Sequence, residues 1–235
     1  RDAEGNWKTP FDAYEYGVGF NEANGSQNTW FVPHDLEGLA ELMGGKEKAI
    51  ERLNISFQEA EKLGFTSGTS HSQETHPEYR RVPINYGNQP SIQTAVVFHK
   101  LGRPDLTQYW SRAVVKRVYS DLSPENGYNG DEDQGLMGSL AVLMKIGLFQ
   151  MNGGTEADPA YQIGSPIFDK ITIELNPKYY SGKEFIIKAE GNSPSNVYVK
   201  SANWKNQALG HLELSHSQIT GGGELKLEMS DTEVK

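Results

Sequence analysis

Ile171-Thr172-Ile173-Glu174-Leu175, Glu184-Phe185-Ile186-Ile187-Lys188, Val197-Tyr198-Val199-Lys200 and Glu224-Leu225-Lys226-Leu227-Glu228-Met229 alternate in polarity with a period of two. Successive side chains of a strand point to opposite faces, so this pattern predicts strands with one buried side. Asn176-Pro177, Ser181-Gly182, Asn192-Ser193-Pro194 and Gly221-Gly222-Gly223 separate them with turn residues. Upstream the period changes to that of a helix. Gln134 to Ile146 is apolar nearly all round, with small Gly138 and Ser139 inside it, and predicts a buried helix. Pro104 opens a helix reaching about Leu122, and Pro90 one reaching Leu101, because proline suits a first helical turn. Residues 46–63 form a two-faced helix through Ala49, Ile50, Leu53, Phe57, Ala60 and Leu63, and Asp35 caps a shorter one closed by Gly44-Gly45. Helices first and strands afterwards predict an α+β chain: a helical part over 1–155 and an antiparallel, sandwich-type strand part over 156–235.

Composition narrows the function. The chain has 235 residues, 31 acidic against 22 basic, for a formal net charge of -9. That balance argues against nucleic acid or an anionic membrane as the main partner and leaves a neutral ligand or a cation. No apolar run approaches the roughly 18 residues of a membrane span. Cysteine is absent, which removes disulfides and thiolate metal sites and leaves the compartment open. The chain starts with Arg1-Asp2-Ala3-Glu4 rather than methionine, which we read as a piece of something longer. Residues 1–30 are rich in aromatic residues, glycine and asparagine without periodicity, and predict an ordered irregular segment.

Asp131, Glu132 and Asp133 sit between Gly130 and Gly135, where a turn-rich stretch gives way to the apolar helix. Adjacent like charges gathered in a cleft shift one another's protonation or bind a cation, whereas at an exposed helix start they are a solvated cap. The triplet does not continue as a calcium-binding EF-hand, because the position expected to be Glu is Val142. The six histidines show no metal-ligand spacing, and no zincin, Walker or nucleophile-elbow motif is present. Glycosidic bonds are cut by two carboxyl groups, one protonating the departing oxygen and one activating water or attacking carbon. A second acid is available in Glu22, inside Phe20-Asn21-Glu22-Ala23-Asn24-Gly25-Ser26-Gln27, although an exposed loop glutamate reads the same way.

Six ordered stretches make the chain recognisable. Trp30-Phe31-Val32-Pro33-His34-Asp35, with Glu22, Asn24 and Gln27 upstream, resembles the Glu-Gly-Asn-Ala-Trp-Gln-Tyr…Phe-Val-Pro-His-Asp segment of glycoside hydrolase family 92, the calcium-dependent exo-acting α-mannosidases. Gly87-Asn88-Gln89-Pro90-Ser91 resembles that family's Gly-(Asn/His)-Glu-Pro-Ser, and Leu101-Gly102-Arg103-Pro104 with Thr107-Gln108 its Gly-Lys-Pro…Thr-Gln. Gly130-Asp131-Glu132-Asp133, Ile163-Gly164-Ser165-Pro166-Ile167-Phe168-Asp169 and Asn192-Ser193-Pro194-Ser195-Asn196-Val197-Tyr198 are similar to three further family stretches.

The resemblance implies that the helices are part of an (α/α)-toroid and that the strands join a sandwich. It implies Glu22 as general acid and Asp133, with Asp131, as general base of an inverting mechanism. Asn88, Gln89 and Trp30 would touch the sugar, and Gln27 and Gln89 would face a calcium ion. The implied substrates are mannose-containing glycans, cleaved in the periplasm, at the cell surface or outside the cell. Half a toroid leaves apolar faces to be covered by a missing N-terminal portion or by self-association. Gln89 stands where the family has Glu, Ile92-Gln93 where it often has His-His, and Ser26 and Asn28 where it has Trp and Tyr. Those differences imply altered linkage specificity and calcium affinity. They also motivate the alternative of a carbohydrate-binding or structural domain that no longer cuts.

Overall fold

The computed structural model describes residues 1–66, 80–123 and 133–234. Seven α-helices and eight strands lie among them: α1 (Gly25–Thr29), α2 (Leu36–Leu42), α3 (Lys46–Lys62), α4 (Thr94–Lys100), α5 (Pro104–Val118), α6 (Leu136–Ile146), β1 (Leu148–Phe149), β2 (Ala160–Ile163), β3 (Lys170–Glu174), β4 (Glu184–Glu190), β5 (Tyr198–Trp204), β6 (Gln207–Ala208), β7 (Glu213–Ser215), α7 (His216–Thr220) and β8 (Gly223–Ser230). The chain is thus mixed helix and sheet, with helices preceding most of the strands.

The helices pack around Phe57. It is fully buried on α3, stacks on Trp110 of α5 at 5.1 Å, and lies within 6.5 Å of the rings of Phe65, Tyr86 and Phe98. Trp110 keeps its ring nitrogen satisfied by donating to Asn54 Oδ1 at 2.8 Å, as a buried indole requires. Asp35 caps α2 as expected, its carboxylate accepting from the Gly38 amide.

One polar stretch is partly buried, and two expectations need correction. The stretch from Phe65 to Asn88 is polar in composition, yet Val82, Ile84 and Tyr86 are completely buried, and the Tyr86 amide donates to the Phe65 carbonyl at 2.7 Å. Pro90 does not open a continuous helix to Leu101. Gln89–Ser91 is instead a separate 3₁₀ turn, because the Asn88 side chain caps it and Gln93 spends its amide on the carbonyls of Trp30 and Pro90. Nor is α6 buried all round: Met137, Leu140 and Met144 face the core, while Val142 is 58% exposed. An apolar composition sets how many faces a helix can bury, and the neighbours present decide how many it does.

Gly147 ends α6 in the left-handed conformation, and a Cβ there would meet the Pro166 nitrogen at 2.6 Å, so both backbone and space demand glycine. The strands form a three-stranded antiparallel sheet, β1-β2-β7, and a five-stranded sheet, β3-β4-β8-β5-β6. The larger sheet is antiparallel except at β4–β8, which run parallel because β5, β6, β7 and α7 intervene as a crossover. Phe185, Ile187, Leu225, Leu227 and Met229 from the larger sheet share one apolar cluster with Leu148, Ile163 and Leu214 from the smaller. Lys188–Glu224, Lys200–Glu228 and Lys226–Glu190 pair on the outer face, where screening leaves each worth little.

Helices and sheets are joined by polar contacts. Glu213 on β7 accepts from Lys100 and Gln162, both at 3.0 Å, and lies 3.5 Å from His99 Nε2. The His99 contact, followed by those of Gln162 and Lys100, holds the Glu213 carboxyl down to about 2 against the opposing effect of burial. A depressed carboxyl pKa adds stability above the ordinary glutamate range, and that stability is lost as pH falls toward about 2. Glu213→Gln should therefore lower the thermal midpoint at neutral pH and flatten its fall on acidification, read by circular dichroism over that pH window. Phe57→Ala should cost about 3–5 kcal/mol in equilibrium denaturation, the range for emptying a large aromatic site in a core.

Candidate functional site

An irregular segment can be buried only when its peptide groups find partners. Asn24 meets that need at the start of α1. It is fully buried, accepts from the Gln27 amide as helix cap, and donates to the carbonyls of Arg80 and Val82 at 3.2 and 3.1 Å. Gln27 adds a second donor to the Val82 carbonyl at 2.8 Å. Residues 80–82 are thereby bound to the loop that carries Glu22.

The next turn is held as firmly. The Asn85 amide donates to Ser91 Oγ at 3.0 Å, the Gly87 amide to Asn85 Oδ1 at 3.0 Å, and the Asn88 amide to the Asn85 carbonyl at 3.1 Å. Asn85 and Ser91 are buried. This turn projects Asn88, whose Nδ2 donates to the Glu22 carbonyl at 2.7 Å while its Oδ1 accepts from the Gln89 amide at 2.9 Å. Gln89 Nε2 in turn donates to the Asp133 carboxylate. Three stretches far apart in the chain therefore meet: the loop at Glu22, the turn at Asn88-Gln89 and the start of the α6 region at Asp133.

Glu22 and Asp133 are both exposed, and both have a left-handed backbone, with φ of 51° and 44°. Such conformations are uncommon outside glycine, cost energy and collect at functional sites. Asp131 and Glu132 lie outside the described residues. Trp30 does not occupy the place expected of a sugar-facing ring: it is 1% exposed and belongs to the helical core, because α1 turns its C-terminal end inward. Asn88 has both ends of its amide engaged within the protein, which is the reverse of a side chain held ready for sugar. The holding roles of Asn24, Asn85 and Gln93 were not read from the sequence. Asn before a short helix is a cap signal, but nothing local marks which distant carbonyls it will meet.

The oxygens available to a cation can be compared with calcium chemistry. Gln27 Oε1 is buried with no hydrogen-bond partner, and the Gln89 contact with Asp133 uses its nitrogen, leaving its carbonyl oxygen. Amide carbonyls are hard donors of the kind calcium takes, so the donor chemistry of each residue suits the ion. Among the described residues no group of three His, Cys, Asp or Glu is arranged to hold a metal. A wide recess of about 1040 Å³ lies elsewhere, lined by Arg112, Lys116, Arg117, Lys145, Tyr109 and Tyr119 among others. Neither Glu22 nor Asp133 lines it; its charged lining is four cationic side chains with the carboxylates of Glu61 and Asp169. Among the described residues no helix is long and apolar enough to cross a membrane.

Comparison with known proteins gives a consistent answer. The family model for the glycosyl hydrolase family 92 catalytic domain matches residues 1–231. An "uncharacterized secreted glycosidase" of Arthroderma benhamiae is 25% identical over 224 residues, covering 94% of this chain and 24% of that protein. A family GH92 α-mannosidase of Bacteroides thetaiotaomicron, solved in complex with mannoimidazole, superposes with a TM-score of 0.79 at 26% identity, over 99% of this chain and 30% of that one. A family GH92 inverting mannosidase of Bacteroides thetaiotaomicron VPI-5482 gives a TM-score of 0.76 at 33% identity, again over 99% of this chain and 30% of that one. The chain thus spans under a third of the length of these relatives. With the family model matched along nearly its whole length, the chain belongs to glycosyl hydrolase family 92 and carries part of a glycosidase catalytic domain.

Proposed function

We propose that this chain is part of an exo-acting, inverting α-mannosidase that releases mannose from glycans outside the cytoplasm. The observation that supports the reading is the continuous contact from the Glu22 carbonyl through Asn88 and Gln89 to the Asp133 carboxylate, which links the loop carrying Glu22 to the loop carrying Asp133. Glu22 protonates the departing glycosidic oxygen, and Asp133, with Asp131, draws a proton from the attacking water. An inverting pair needs about 6.5–9.5 Å between carboxyls so that water fits on the far face of the ring. Residues 1–155 contribute helices to a toroid and residues 156–235 a sandwich-type layer, with apolar faces such as that at Val142 covered by further polypeptide or by a second copy. The secreted relative supports export of this protein as well.

Gln27 and Gln89 would hold calcium. When bound, the ion supplies a hard Lewis acid for sugar hydroxyl oxygens. The departure from family Glu at position 89 leaves a neutral ligand there, which weakens the ion's hold and keeps a hydrogen-bond donor beside Asp133.

Two measurements check this reading. In the active polypeptide that contains this chain, Glu22→Gln and Asp133→Asn should each reduce mannose release from an alkyl α-mannoside by about 10²–10⁴-fold; near-normal turnover in both would refute the assignment, and no release from the unaltered protein would favour a binding module. Chelation should lower both activity and thermal midpoint, and calcium should restore both, since a ligand bound to the folded state alone stabilises it. Unchanged values of both after chelation would remove calcium from the scheme.

A further inference from the structure

We infer that Asn88 is a positioning residue for the general acid: it fixes the main chain of Glu22 and thereby the aim of its carboxyl. The inference rests on the reading of Glu22 as acid and adds a residue that acts through it.

Glu22 needs such a hold. Its left-handed backbone is disfavoured for a residue with a Cβ by roughly 1–2 kcal/mol, so an unrestrained loop would relax toward ordinary φ. Downstream, Ala23 and Asn24 are fully buried, and the Ala23 carbonyl accepts from the Gly17 amide at 2.8 Å. The direct contact on Glu22 itself is the Asn88 donor, 2.7 Å from its carbonyl oxygen. Clamping that carbonyl fixes the peptide plane after Glu22 and with it the direction in which the Cα–Cβ bond leaves the chain.

The clamp is itself anchored. Asn88 stands on the turn locked by Asn85 and Ser91, and its Oδ1 is occupied by the Gln89 amide, so the side chain cannot swing without uncapping the 3₁₀ turn. Two bonds from one amide therefore couple the acid loop to the same turn whose next residue touches Asp133. A planar amide carries its donor and its acceptor on separate atoms, so it can bond Glu22 and the turn at once.

Leaving-group dependence tests this, because a general acid matters for a poor leaving group and little for an activated phenol that departs unprotonated. In the active polypeptide, kcat/KM would be measured for an alkyl α-mannoside and for a 2,4-dinitrophenyl α-mannoside with the unaltered protein and with Glu22→Gln, Asn88→Ala and Asn88→Asp. Asn88→Asp keeps the acceptor that caps the turn but sets a charged carboxylate oxygen against the Glu22 carbonyl in place of the donor, so it breaks the clamp while leaving the cap. Glu22→Gln should lose about 100-fold more on the alkyl than on the aryl substrate. Both Asn88 variants should follow in the same direction, losing about tenfold more on the alkyl substrate, through kcat rather than KM. An equal loss on both substrates, with or without a lower thermal midpoint, or no loss at all, would overturn the role of Asn88 while leaving Glu22 as acid. If Glu22→Gln shows no leaving-group dependence, the acid assignment falls and this inference with it.

Discussion

Buried side-chain amides are the constraint on which the helical half depends. The segments at 20–30 and 80–93 are irregular, and irregular backbone enters a core only if its donors and acceptors are met. Asn24 and Gln27 meet those of residues 80–82, and Gln93 meets the end of α1 and Pro90. An amide suits the task because it offers donors and an acceptor at fixed spacing without a charge to desolvate. The apolar cluster around Phe57 supplies the larger free energy of burial, but it would accept many arrangements of the connecting chain. The amides select one.

In the proposed reading, chemistry is carried by loops on a rigid scaffold. Glu22 and Asp133 are exposed and have uncommon backbone geometry, whereas Asn24, Asn85 and Ser91, which anchor the segments around Glu22 and Asn88, are buried. This division follows from the opposing demands on the two sets. A carboxyl that must meet sugar and water cannot be buried, and a side chain that must not move is best surrounded.

The strand half bears on the site through the helix that it supports. Arg112 on α5 donates to Ser165, Pro166, Asn192 and Ser193, and burial lowers its pKa. Gln108, also on α5, accepts from the Val199 amide at 2.9 Å. With Glu213 gripping α4, the sheets hold the two helices that follow the Asn88 turn. A purely apolar seam would let helices slide. Directional bonds to strand-end carbonyls do not.

The sequence by itself determined the order of helices and strands, the cap at Asp35, the four long strands and the family motifs, because those signals are local: a period, a capping side chain, a short ordered string. It did not reveal β1, β2, β6 and β7, which are two to four residues long and carry no readable period. Only the tertiary structure decided that Trp30 lies in the core, that β8 runs parallel to β4, that Val142 faces outward, and that the Asn88 amide meets Glu22. Each of these depends on which distant segment arrives opposite a residue. Side-chain type limits the possible partners, but packing of the whole chain chooses among them.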